Sequence, residues 1–201
     1  MAAPTQTKRR RTQAERRDET RSALLEATIE SLVTYGYAQT TTGRIAELAG
    51  VSRGAQIPYF ATRAELVGAA LAHLADERVN AAHERFSRGP VSIPEALDLL
   101  WEEHRGPIFA AALELWVASR TDPELRKQLQ RVENDVLAAI AEAAVAALGD
   151  HARRPGFTDD LFFALATIRG LALLQISNGV SNRALAERWN QTRERLLRIL
   201  G

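Results

Sequence analysis

Between Arg44 and Phe60 the chain reads RIAELAGVSRGAQIPYF. Two apolar-periodic pieces, each too short to persist as an isolated helix, flank a glycine. Ile45, Ala46, Leu48 and Ala49 make one short amphipathic face, and Gly50 turns the chain. Val51 plugs the corner, and Ser52 caps the next piece. Ala46, four residues before Gly50, is small enough for a close helix crossing. A short helix held against another by a three-residue turn is the geometry with which helix-turn-helix proteins enter DNA. The same pattern also suits two packed helices of an ordinary bundle, so the rest of the chain decides between them.

The charge distribution favours a polyanion at one end. Residues 1–63 carry 10 Lys+Arg against 6 Asp+Glu, a net of +4, and the remaining 16 against 19 make −3. At 201 residues the chain has room for one large or two small domains. With no cysteine, disulfides, thiolate zinc sites and cysteine nucleophiles are excluded, which fits a reducing cytoplasm. The basic, polar N-terminus shows no signal peptide, and no apolar run approaches the ~20 residues of a membrane span. A cytoplasmic protein with no membrane partner is expected.

Helical periodicity runs through the chain, with no strand pattern, and predicts an all-α fold of about nine helices. Residues 1–15, with Lys8, Arg9, Arg10 and Arg11, read as a flexible basic arm. The helix-turn-helix domain covers 16–62, and a larger helical ligand-binding and dimerisation domain covers 63–201. The first helix, about 16–35, carries Leu24, Leu25, Thr28, Ile29, Leu32 and Val33 on one face and stops at Gly36. A second helix runs to Ala49, and a third begins at Ser52. Thr62-Arg63-Ala64-Glu65 and Ser92-Ile93-Pro94-Glu95 read as capping boxes for helices four and five. Helix six is expected over 107–120. Asp122-Pro123 opens a seventh helix ending near Gly149, and 149–157 reads as a loop. Helices eight and nine cover about 159–178 and 183–200.

On the third helix, Arg53, Gln56 and Tyr59 can point outward, and arginine and glutamine are side chains that read base edges. Gly54 and Ala55 permit close backbone approach, while the free N–H groups after Ser52 favour phosphate. The whole region Arg21–Leu66 resembles the DNA-binding domain of the TetR family of bacterial transcription regulators. The resemblance lies in Gly36-Tyr37, Thr40-Thr41-Thr42, Ile45-Ala46, Ala49-Gly50-Val51-Ser52, Gly54, Phe60 and Thr62-Arg63-Ala64-Glu65-Leu66. It implies a dimeric, all-helical repressor. Thr41 and Thr42 would touch phosphate, with Arg44 on the same helix. Arg53, Gly54, Ala55, Ile57, Pro58 and Tyr59 would lie on the recognition helix, and Arg63 would meet phosphate. Gln56-Ile57 stand where the family usually has leucine and tyrosine, so Tyr59 would supply the hydroxyl. Pro58 lacks an N–H and should end or tighten that helix. Arg9, Arg10 and Arg11 could follow a groove or the backbone of double-stranded DNA.

The larger part of the chain should carry regulation. Leu97, Leu100, Trp101 and His104 share one stripe, and Phe109, Leu113, Trp116 and Arg120 another. Large aromatics beside Ala110-Ala111-Ala112 leave room for a small-molecule effector of apolar or amphipathic character, with His104, Glu114, Arg120 and Gln175 as polar anchors. The resemblance implies that effector binding shifts helix four and respaces two reading heads. Helix eight is apolar nearly all round, and helix nine sets Leu185, Trp189, Thr192, Leu196 and Ile199 on a heptad-like seam. Leu161, Phe162, Leu165, Ile168, Leu185, Trp189 and Leu196 are therefore expected at a homodimer interface matching a palindromic site.

Catalytic features are missing: no Gly-x-Ser-x-Gly elbow and no phosphate-cradling glycine loop occurs, and the four histidines have no metal-ligand spacing. No catalytic residue, metal or cofactor is expected. The reading is a ligand-responsive DNA-binding regulator. The alternatives are a ligand-independent DNA-binding or architectural protein and a helical interaction module. The 24 arginines against 2 lysines suggest a G+C-rich bacterial genome.

Overall fold

The computed structural model describes residues 12–52, 54, 57–86 and 91–201. Eight α-helices are present among them: α1 Gln13–Gln39, α2 Thr42–Leu48, α3 Arg63–Phe86, α4 Ile93–Glu103, α5 Pro107–Ser119, α6 Pro123–Leu148, α7 Phe157–Asn178 and α8 Asn182–Leu200. The ninth expected helix is the segment after Ser52. There Gly54 and Ile57–Tyr59 lie in turns, in keeping with a proline that cannot extend a helical ladder. Arg53, Ala55 and Gln56 lie outside the described residues, as do Arg9, Arg10 and Arg11.

Two boundaries differ from the sequence expectation. Helix α1 starts at Gln13, inside the stretch read as a flexible arm. A capping box holds it there: Thr12 N–H donates to Glu15 Oε2 at 2.7 Å, and Glu15 N–H donates to Thr12 Oγ1 at 3.2 Å. The stretch 149–157, read as a loop, contains a 3-10 turn at Gly149–Arg153 that buries Ala152.

Three buried clusters run from one end of the molecule to the other. Leu24, Leu25, Ala27, Ile45, Phe60, Leu66 and Ala70 make the core of the N-terminal head. Leu32, Ala64, Val67, Ala111, Leu115, Leu125 and Leu129 form a seam where α1 and α3 meet α5 and α6. The body core joins α4 to α8 and holds Leu97, Trp101, Phe109, Leu161, Leu165, Ile168, Leu185, Trp189 and Leu196. Each buried side chain of this size contributes roughly 1.5–3 kcal/mol. Helix α3 belongs to both ends. Leu66 and Ala70 face the head, Ala64 and Val67 face the seam, and the helix packs along α6.

The body core corrects the dimer expectation. Leu161, Leu165, Ile168, Leu185, Trp189 and Leu196 are buried within the single chain and cannot also cover a partner. Trp189 stacks on Trp101, ring centroids 4.9 Å apart and 9° from parallel. Its indole N–H donates to Asp98 Oδ1 at 3.1 Å, and Arg193 pairs with the other Asp98 oxygen at 2.8 Å. Phe162, 59% exposed, is the remaining residue of the seven. Helix α7 is thus two-faced. One side enters the core, while Phe162, Phe163, Ala166, Gly170, Leu173 and Ile176 are exposed.

Candidate nucleic-acid interface and effector cluster

The head builds its outer surface from caps and turns. Thr41 caps α2 by accepting the Arg44 N–H at 3.2 Å, which orients that helix's first turn. Gly50 has φ +67 and open space around its missing Cβ, so backbone geometry alone requires glycine there. Val51 N–H then closes the turn onto Ala46 C=O at 2.9 Å. Ser52, Gly54, Ile57 and Pro58 are exposed, Ile57 to 67%. Tyr59 is half-buried and packs against the head core. Thr42, at the start of α2, is half-buried.

Two arginines expected on the DNA side make contacts within the head. Arg44 donates to Gln39 C=O at 2.7 Å and lies 4.5 Å over the Tyr35 ring. Arg63 donates to Tyr37 C=O at 2.6 Å and stacks 3.8 Å over the same tyrosine's ring. Arg63, expected on phosphate, therefore ties α3 to the end of α1. Planar guanidinium suits this double use, since it stacks and donates at once.

The seam between head and body is polar where it meets Gly36. That glycine has φ 73 and ψ 171, a conformation almost confined to glycine, and it interrupts α1 where the sequence stops the helix. One further turn continues to Gln39. Glu114 of α5 accepts the Tyr37 N–H at 2.7 Å, which corrects its reading as an effector anchor. The Tyr37 hydroxyl donates to Asp122 Oδ2 at 3.4 Å, and the Asp122 Oδ1 caps α6 through Leu125 N–H. Burial is the main cause that raises the Tyr37 pKa. Thr62 donates to Glu124 at 2.7 Å. It also caps α3, while Glu65 reaches back to Ala61 N–H, one residue before the cap.

A second cluster lies in the body. His104, Phe109 and Trp116 form a chain of edge-on rings, with centroids 5.1 Å and 5.9 Å apart. Leu113 packs against the same core. Arg169 of α7 sits 5.0 Å over Trp116 and pairs with Glu133 of α6 at 2.9 Å. His104 Nδ1 donates to Leu100 C=O at 2.7 Å, since a carbonyl only accepts. Burial first, then Arg169 and Arg78, hold its pKa below the ordinary imidazole value, against the upward pull of the Leu100 carbonyl and Glu133. Arg78 pairs with Glu103. Sequence reasoning missed Arg169, Glu133 and Arg78. The available signal was Arg169, a charge inside an otherwise apolar helix. Trp101, expected to line the effector site, is buried in its stack; of the expected anchors, Arg120 is exposed at the end of α5 and Gln175 donates to Asn182 at 3.3 Å.

Among the described residues no helix is long and apolar enough to cross a membrane. Residues 24–70 match the family described as bacterial regulatory proteins, tetR family. An uncharacterized HTH-type transcriptional regulator of Mycobacterium tuberculosis is 34% identical over 142 residues, which cover 69% of this chain and 73% of that protein. The HTH-type transcriptional regulator CymR of Pseudomonas putida is 29% identical across 95% of this chain and 90% of its own. The multidrug binding protein EbrR, solved with imidazole, shares the fold at a TM-score of 0.65 and 23% identity, covering 90% of this chain and 94% of that one.

Proposed function

This chain belongs to the TetR family of bacterial regulatory proteins, and from that membership we propose a ligand-responsive, DNA-binding transcriptional regulator acting in the cytoplasm as a homodimer. It acts as a repressor, leaving a palindromic operator when a small molecule binds. The observation that carries this reading is the continuity of one helix. Helix α3 supplies Leu66 and Ala70 to the head core and Val67 to the seam, and packs along α6 of the body. A shift of body helices against α3 therefore moves the head as a unit.

Exposed Ser52, Gly54, Ile57 and Pro58, with Tyr59 beside them, form the DNA-facing edge. Arg53 and the arm residues Arg9, Arg10 and Arg11 supply the charge that phosphate recognition needs, and Ala55 and Gln56 belong to the same proposed contact set. The effector enters between His104, Phe109, Leu113 and Trp116, where rings supply apolar area and Arg169 and Arg78 supply donors. An amphipathic molecule with an acceptor group fits that mixture. The EbrR structure with imidazole supports the idea that this fold admits small molecules.

The exposed side of α7 supplies the dimer contact. Phe162, Phe163 and Ile176 are each more than half exposed, and a stripe of that size on one helix favours a second apolar surface. Two-fold symmetry then presents two heads to two half-sites, about one DNA turn or a multiple of it apart.

Selection of bound fragments from the sheared source genome tests the reading. The purified chain should enrich fragments that share one palindrome. Recovery of unrelated sequences at equal frequency would favour non-specific DNA binding instead.

A further inference from the structure

We infer that Glu114 is the positioning residue through which α5 sets the orientation of the reading head. The inference rests on the regulator reading above and assigns its transmission step to one contact.

Helix α5 has three working faces. Phe109, Leu113 and Trp116 belong to the aromatic cluster, and Ala111 and Leu115 fill the seam. Glu114 leaves the helix toward the head and accepts the Tyr37 N–H at 2.7 Å. Trp116 packs against both the body core and the seam, so a displacement of the rings reaches the seam along the same helix. The receiving end is built for the carboxylate. A Cβ on Gly36 would stand 2.6 Å from Glu114 Oε2, closer than real side chains approach.

What Glu114 holds is the hinge leading into α2. Tyr37 is gripped at both peptide groups: its N–H by Glu114 and its C=O by Arg63 of α3 at 2.6 Å. From there the chain is stiff. Thr40 Oγ1 donates to Gly36 C=O at 2.8 Å and so accepts from Ser31 Oγ at 3.0 Å. Both hydroxyls are buried, and their mutual satisfaction resists change. Helix α2 begins two residues later, at Thr42. Movement of the Glu114 carboxylate thus turns a short rigid unit carrying the first helix of the DNA-reading pair. Exposed ion pairs do little for orientation. The Glu114 bond is also exposed, but a carboxylate on a backbone N–H is directional, and so fixes the orientation of the peptide it holds.

The test uses the full chain and a DNA fragment that the wild type itself selects. Affinity is measured for wild type, Glu114→Ala, Glu114→Gln, Phe109→Leu and the double variant Phe109→Leu/Glu114→Ala. Thermal melting and amide exchange across residues 36–42 are followed in parallel. Loss of one such bond corresponds to about fivefold in affinity. Glu114→Ala should bind about fivefold more weakly, with faster exchange at 36–42 and unchanged melting of the body. Glu114→Gln, whose amide oxygen still accepts, should recover part of the loss. In the double variant the effect of Phe109→Leu should shrink, because its route to the head is already cut. Equal affinity of Glu114→Ala and wild type, or strict additivity with Phe109→Leu, overturns the assignment while leaving the regulator reading intact. A wild-type chain that selects no DNA overturns the regulator reading itself, and this inference with it.

Discussion

Gly36 and Glu114, far apart in sequence, meet so closely that a Cβ on the glycine would lie 2.6 Å from the carboxylate. Two effects therefore attend Gly36→Ala: a backbone at φ 73 that side chains rarely adopt, which carries most of the cost, and displacement of the flexible Glu114 carboxylate from the Tyr37 N–H. The substitution should destabilise the chain by about 1–3 kcal/mol in urea unfolding. Removing the carboxylate with Glu114→Ala should return only the small displacement portion and leave the backbone portion. A double variant as unstable as the sum of the two singles would show that the carboxylate does not contribute to the cost.

His104 makes folding depend on mild acid. Burial holds its pKa below the unfolded value of about 6.5. As the pH falls below that value, the unfolded chain takes up the proton before the folded chain does. Stability contributed by the neutral ring is thus complete above about 6.5 and declines as the pH drops toward the lower folded value. Unfolding free energies at pH 8, 6.5 and 5.5 should trace this decline. In His104→Phe, which keeps a ring beside Phe109, the slope should flatten. An unchanged slope would place the proton uptake elsewhere.

Trp189 should behave as a core residue rather than an interface residue. Trp189→Ala should cost about 3–5 kcal/mol. Trp189→Phe, which keeps a ring against Trp101 but loses the N–H to Asp98, should cost about 1–2 kcal/mol. Urea unfolding followed by circular dichroism measures both. If the loss depended strongly on protein concentration, Trp189 would belong to a subunit contact after all.

Phe162 tests the exposed side of α7. Phe162→Glu should turn a dimer into a folded monomer in sedimentation, with DNA affinity falling together with the dimer fraction, since one head then binds without its partner. A variant that remains dimeric would move the contact off this helix.

Local features were legible from residue order. The all-helical pattern, Gly36, the Gly50 turn, the caps at Ser92 and Asp122, and the head core around Leu24, Leu25 and Ile45 all follow from spacing of about four and from residues with special backbone or capping chemistry. What periodicity cannot say is which neighbour an apolar face meets. Leu185, Trp189 and Leu196 form a regular stripe, yet the stripe packs on Asp98 and Trp101 of α4 and on α7 of the same chain. Polar partners across long separations were equally hidden. Glu114 reads as an effector anchor and Arg63 as a phosphate contact because nothing near them in sequence announces Tyr37. Arg169 was legible in principle, as a single cation in an apolar helix, but its partner Glu133 lies on another helix.

The most direct measurement is the salt dependence of binding to the selected palindrome and to a scrambled duplex of the same composition. A sequence-reading head that meets phosphate with basic residues predicts a steep fall of affinity with salt on both duplexes and at least ~1000-fold preference for the palindrome at moderate salt. Equal affinity for the two duplexes at every salt concentration would contradict the account, leaving a helical protein that touches DNA without reading it.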